Sequence, residues 1–113
     1  MVEGQIHGGV AHGIGNALYE WMGYDEAGQP VTTTFVDYLL PTSTEVPMLD
    51  TLYKETRSPL NPLGVKGVGE AGTIPCAAAL ISAVEDALSP FAVRIGQVPL
   101  PPMTIVKMIR NAK

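Results

Sequence analysis

The chain has 113 residues, enough for one small domain with a modest core. Hydrophobic residues make up 46%, charged residues only 16%, and the net charge is −4, which with the cations Lys107, Arg110 and Lys113 spread along a terminal helix excludes a nucleic-acid-binding surface. A single cysteine excludes an internal disulfide and fits a reducing compartment, Met1–Gln5 lacks the cationic start and apolar core of a signal peptide, and no apolar run approaches the ~20 residues that insertion into a bilayer requires, so a soluble, cytoplasmic protein is expected.

In chain order, Ile6, Val10, Ile14, Ala17, Leu18 and Trp21 recur at helical spacing and predict an amphipathic helix over roughly residues 7–22, with Trp21 in its core face. Gly8, Gly9, Gly13 and Gly15 fall inside it, each costing up to about 1 kcal/mol relative to alanine. That cost is rational where something packs closely on the backbone, either another helix or a ligand. Asp25–Pro30 is a turn cluster. Thr32–Leu40 is β-branched and aromatic and predicts a strand, stopped by Pro41. A second strand is expected within Val46–Glu55, with Pro47 near its start, and the two would pair across a loop longer than a tight turn.

Ser58–Gly64 is irregular and leads into the glycine-rich loop Gly64–Gly72. Thr73 and Pro75 then open a helix whose buried side is read as Ala78, Leu80, Ile81, Val84, Ala87 and Leu88. Ser89-Pro90 ends it. Val93–Val98 reads as a short strand, and Pro99, Pro101 and Pro102 lead into a last helix carrying Ile105, Met108 and Ile109. The fold class expected is α+β: a small mixed domain with a glycine-rich N-terminal helix, a few strands and two C-terminal helices.

Gly67, Gly69 and Gly72 match G-x-G-x-x-G, but a dinucleotide site needs a strand before the loop and an acid about 20 residues later at the end of the next strand. Pro59 and Pro62 lie upstream instead, and Glu85 and Asp86 fall inside a helix. What remains is a run of glycine N–H groups before a helix, an anion-binding concavity with Glu70 in it. Glu70 is thus either a dipole partner of the helix or a functional carboxylate. Lys66 reads as a surface lysine. His7 and His12 lie about 140° apart around a helix, off a common face, so no metal site is assigned. Cys76 reads as a small buried residue.

Two segments taken together are more specific. Gly4-Gln5-Ile6-His7-Gly8-Gly9-Val10-Ala11-His12-Gly13-Ile14-Gly15-Asn16-Ala17-Leu18 resembles the glycine-rich helix of the xanthine dehydrogenase, aldehyde oxidase and aerobic carbon monoxide dehydrogenase family. Gly64-Val65-Lys66-Gly67-Val68-Gly69-Glu70-Ala71-Gly72 resembles that family's active-site loop, and Tyr38-Leu39-Leu40-Pro41-Thr42 matches between them. The resemblance covers nearly the whole chain but only the last part of a much longer molybdenum-cofactor-binding subunit, so residues 1–113 are expected to be a C-terminal fragment of that domain.

The resemblance implies a molybdenum ion held by a molybdopterin dithiolene, in the cytosine dinucleotide form common in bacteria. It implies hydroxylation of an aldehyde, an N-heterocycle or carbon monoxide, and electron exit through iron–sulfur and FAD subunits or domains. By resemblance Glu70 is the general base, and Gln5, His12, Gly67, Val68 and Gly69 contact the cofactor. His12 stands where the family often has glutamine. No cofactor and no activity are expected of the isolated chain, because the upstream part of the subunit carries the rest of the site. The low charge fraction suggests a second reading, a non-catalytic assembly module whose exposed face is covered by that upstream part or by self-association.

Overall fold

The computed structural model describes residues 1–112, so Lys113 lies outside them. Helix α1 spans Val2–Leu18, α2 spans Cys76–Ala87 and α3 spans Pro102–Asn111, with a short 3-10 turn at Ser89–Phe91. The rest is turns and extended chain. The expected strands over 32–40, within Val46–Glu55 and over 93–98 do not form among the described residues, where one isolated bridge, Tyr24 with Pro30, is the only β pairing. The α+β expectation is corrected accordingly: helices are the regular elements.

The corrections have local causes. In 32–40, the Thr34 hydroxyl bonds the Asp37 carboxylate at 2.8 Å and the Tyr38 N–H donates to the Thr34 carbonyl at 2.7 Å. Side-chain bonding of this kind offers the backbone an alternative to a ladder. Helix α1 begins earlier and ends earlier than its apolar spacing suggests. It stops where Tyr19 and Glu20 both donate to the Gly15 carbonyl, at 2.9 and 2.8 Å. Trp21 therefore leaves the helix and is 51% exposed rather than part of a core.

The turn cluster at 25–30 forms as expected. Asp25 Oδ1 accepts the N–H groups of Ala27 and Gln29 at 2.9 and 2.8 Å, and Gly28 takes φ +78°, a left-handed conformation that glycine adopts without strain. Helix α2 starts at Cys76, after a continuous series of turns over 69–75, and ends at Ala87, just before Ser89-Pro90 opens the 3-10 turn. Of its expected buried side, Leu88 is buried and Leu80, Ile81 and Val84 are half-buried, whereas Ala78 and Ala87 are exposed. Pro102 sits in the first turn of α3, where its missing N–H costs nothing.

The core is small. Ile14, Ala17, Cys76, Leu88 and Leu100 are the buried apolar residues, and Leu100 is tied to α1 by its N–H to the Ala17 carbonyl at 2.7 Å. The radius of gyration is 17.6 Å, against roughly 13 Å for a compact domain of about this length. The chain is therefore an α1–α2 platform with long irregular segments spread from it.

Candidate functional site

The site is built where α1 meets the turn that precedes α2. A Cβ on Gly9 would come within 2.9 Å of the Gly72 Cα. One on Gly72 would come within 2.5 Å of the Ile6 carbonyl oxygen, and one on Gly13 would overlap Cys76, with Sγ at 2.7 Å. Gly9 and Gly72 bring two backbones together and Gly13 admits the Cys76 side chain, so for Gly9 and Gly13 the choice between helix packing and ligand approach falls to packing. Two hydrogen bonds fasten the joint. The Thr73 hydroxyl donates to the Gly9 carbonyl at 3.0 Å, and the Cys76 thiol donates to the Val10 carbonyl at 3.5 Å. Burial pushes the Cys76 thiol up from its ordinary pKa, which keeps it a protonated donor.

The turn so fastened carries Glu70. Its carbonyl accepts the N–H groups of Thr73 and Ile74, both at 3.1 Å, and its side chain is exposed. Upstream, Gly67 and Gly69 have nothing within 4 Å of where a Cβ would stand. The N–H groups of Gly67, Val68, Gly69 and Glu70 have no hydrogen-bond partner among the described residues. A bare stretch of successive free N–H donors, open on one side, suits an anionic group. The loop is shaped further back by Asn61, whose side chain both donates to the Val65 carbonyl at 2.9 Å and accepts its N–H at 3.0 Å.

Gln5 and His12 are both exposed on α1. Seven residues apart, they share one face of the helix, separated by about 10 Å along the axis, along the edge of the stripe carrying Gly9 and Gly13. His7 lies on the opposite side, beside a cavity of about 500 Å³ lined by residues such as Ala11, Pro41, Val46 and Leu49, and its Nε2 is buried without a partner among the described residues. The two histidines do face apart. Lys66 is exposed, and its ammonium bonds the Thr56 hydroxyl.

A family profile for the molybdopterin cofactor-binding domain matches residues 1–47. The nicotine 6-hydroxylase large subunit of Paenarthrobacter nicotinovorans is 46% identical over 111 residues, 98% of this chain. The crystal structure of quinoline 2-oxidoreductase from Pseudomonas putida 86 superposes with a TM-score of 0.91 at 49% identity over 96% of this chain. That of a copper- and molybdenum-containing carbon monoxide dehydrogenase superposes at 0.92 with 33% identity over 98%. The chain belongs to the molybdenum hydroxylase family, as a segment of the molybdopterin-binding large subunit. It spans 14% of the length of each of these three relatives.

Within this family segment, the structure fastens to α1 the end of the turn that follows Glu70, through Gly72, Thr73 and Cys76. Glu70, Gly67 and Gly69 stand exposed in the chain just before that joint, and Gln5 and His12 are exposed along one edge of α1. Sequence reasoning missed Thr73 and Cys76 as the fasteners of the joint, taking one as a helix opener and the other as filler. The signal that could have found them is complementarity. Glycines at i and i+4 on one helix expose carbonyls that small donor side chains near a second glycine can reach.

Proposed function

We propose that the chain forms one wall of the active site of a molybdenum hydroxylase, with Glu70 as the general base. The observation that carries this is the turn bearing Glu70, fastened to α1 through Gly9, Gly72 and Thr73 while its Gly67–Glu70 N–H groups stay free. Free N–H donors fit an anionic molybdopterin, here in the cytosine dinucleotide form. Gly67, Val68 and Gly69 would hold it through the backbone, with Gln5 and His12 contacting it from α1. When bound, that cofactor supplies the oxygen and takes up the two electrons of a hydroxylation.

The chain's own contribution is proton handling and placement. Glu70 takes up a proton at a carboxylate oxygen. Its position is set by the backbone bonds from Thr73 and Ile74, so the carboxylate swings on a fixed base. A carboxylate serves best as a base when its surroundings raise its pKa towards working pH. The chain leaves Glu70 exposed, so that burial comes from the remainder of the subunit. The substrate is an aldehyde, an N-heterocycle or carbon monoxide. Iron–sulfur and FAD partners carry electrons away, and the cell compartment is the cytoplasm. No helix among the described residues is long and apolar enough to cross a membrane.

The test is Glu70→Gln in the complete large subunit, assayed with an artificial electron acceptor against a panel of N-heterocycles, aldehydes and carbon monoxide. Loss of a positioned base lowers turnover by about 10³-fold while molybdenum content is unchanged. Near-normal turnover in a metal-replete variant would sink the assignment.

A second reading, an assembly module, is favoured by Met48, Leu52 and Leu60, which are 99%, 96% and 91% exposed. It is compatible with the first, since a wall of a site must also dock onto the rest.

A further inference from the structure

Residues 46–57 are the least explained part of the chain. Their composition reads as a strand, and the backbone carries no helix or turn from Pro47 to Ser58. Yet among the described residues no N–H or C=O group of residues 46–57 has a hydrogen-bond partner. Backbone polar groups are obligatory hydrogen-bonding groups, and a row of them left open along extended chain is the edge onto which another strand adds. Over 48–52 exposure alternates as it does along a strand: Leu49 and Thr51 are half-buried, while Met48, Asp50 and Leu52 are exposed; residues 53–57 are exposed throughout. Pro47 and Pro59 bracket the stretch, at positions where proline closes a strand without interrupting it.

We propose that residues 48–56 form a β-strand that adds to the edge of a sheet supplied by the remainder of the large subunit. The inference rests on the reading of the chain as part of such a subunit. Two observations choose this occupant over a second copy. The chain spans only 14% of its relatives, so most of a subunit lies outside it. Nearly all of its path, 96% and 98% of the chain, recurs at TM-scores of 0.91 and 0.92 in crystallised chains several times longer. An extended segment without internal backbone bonds keeps one path when something holds it, and the part of the subunit beyond the aligned region is the natural holder for the stretch past Leu49. Main-chain bonding of this type supplies affinity, while alternate side chains, here Met48 and Leu52, supply fit.

The strand also bears on the site. It runs directly into Ser58, whose N–H bonds the Gly64 carbonyl at 3.1 Å, and Thr56 bonds Lys66. Docking at 48–56 therefore anchors the glycine-rich loop from its upstream side, as Thr73 anchors it from the downstream side.

Hydrogen–deuterium exchange of the 48–56 amides, in this chain alone and in the complete large subunit, tests the proposal. Exchange is fast in the chain alone and slowed on the order of 100-fold or more in the subunit. Thr51→Pro and Leu52→Pro remove N–H groups pointing to opposite sides, so at least one weakens association with the remainder at least about tenfold. Thr51→Ala, which keeps every N–H, weakens it less. Helical circular dichroism checks that each variant keeps α1 and α2. Fast exchange at 48–56 in a subunit whose 69–75 turn is protected overturns the strand and leaves the proposed function standing. Protection in the chain alone that grows with concentration assigns the edge to a second copy and overturns it too. A chain that does not associate with the remainder at all, with Glu70→Gln fully active, sinks the proposed function and the strand with it.

Discussion

The α1–turn–α2 joint and the 46–66 arm solve opposite problems. In the joint, glycines bring two backbones into contact, and the few buried side chains cluster there: Ile14, Ala17 and Cys76. In the arm, Met48, Leu52, Leu60 and Leu63 stand 79–99% exposed, and the backbone of residues 46–57 is unpaired. The first is complete within this chain. The second has the composition of buried structure without its surroundings. The difference teaches where information resides: a contact made within one segment can be specified by that segment, whereas a strand is specified jointly with its neighbour.

The largest effect that can break this contrast is at Gly72. A Cβ there meets the backbone of Ile6, Gly9 and Val10 at 2.5–3.1 Å, and none of these can yield without separating α1 from the turn. Gly72→Ala is expected to destabilise the chain by about 3 kcal/mol, read from thermal or denaturant unfolding. Gly8→Ala, with nothing within 4 Å, stabilises it by up to about 1 kcal/mol through helix propensity. Equal effects at the two positions would mean the joint is not tight.

In the arm the same logic predicts little. Leu52→Ser in the chain alone changes stability by no more than about 0.5 kcal/mol, because nothing is packed on that side chain. In the complete subunit it costs about 2 kcal/mol, the value of burying a leucine. A large loss in the isolated chain would show that the arm packs on itself.

The smallest effect concerns the local order of the turn that leads into the arm. Glu45 accepts hydrogen bonds from the Thr42 and Thr44 hydroxyls and the Thr42 N–H, at 2.6–2.7 Å. These bonds, that from the Thr42 side chain first, hold its carboxyl down from 4.5 to about 2. A carboxyl whose folded pKa is depressed stabilises the turn fully above pH 4.5 and loses that contribution as pH falls through about 2. The carboxyl carbon shift of Glu45 should therefore titrate near 2. A midpoint near 4.5 would mean the turn is open in solution.

Much of the candidate site's local structure was legible in the sequence because its signals are local. The glycines of α1, the run Gly67–Gly72 with Glu70 inside it, and the Asp25–Gln29 turn each carry their conformation in their own residues. The three helices were legible from apolar spacing and proline placement, though α1 lies some five residues nearer the N-terminus than the spacing of Ile6 to Trp21 suggests. The strands failed for a physical reason. Thr34 and Asp37 satisfy each other locally, and the backbone of 46–55 has no partner among the described residues. Thr73 and Cys76 were illegible as fasteners because their partners, the carbonyls of Gly9 and Val10, lie 64 and 66 residues away.

The central claim is that this chain holds one preformed wall of a cofactor site and lacks the others. Molybdenum analysis after expression in a host that makes the cofactor tests it most directly, on the chain alone and on the complete large subunit. A large anionic cofactor is retained by enclosure on several sides, and free N–H groups on one loop do not offset the cost of immobilising it. Stoichiometric molybdenum is expected in the complete subunit and essentially none in the chain alone. Stoichiometric molybdenum in the isolated chain would contradict it.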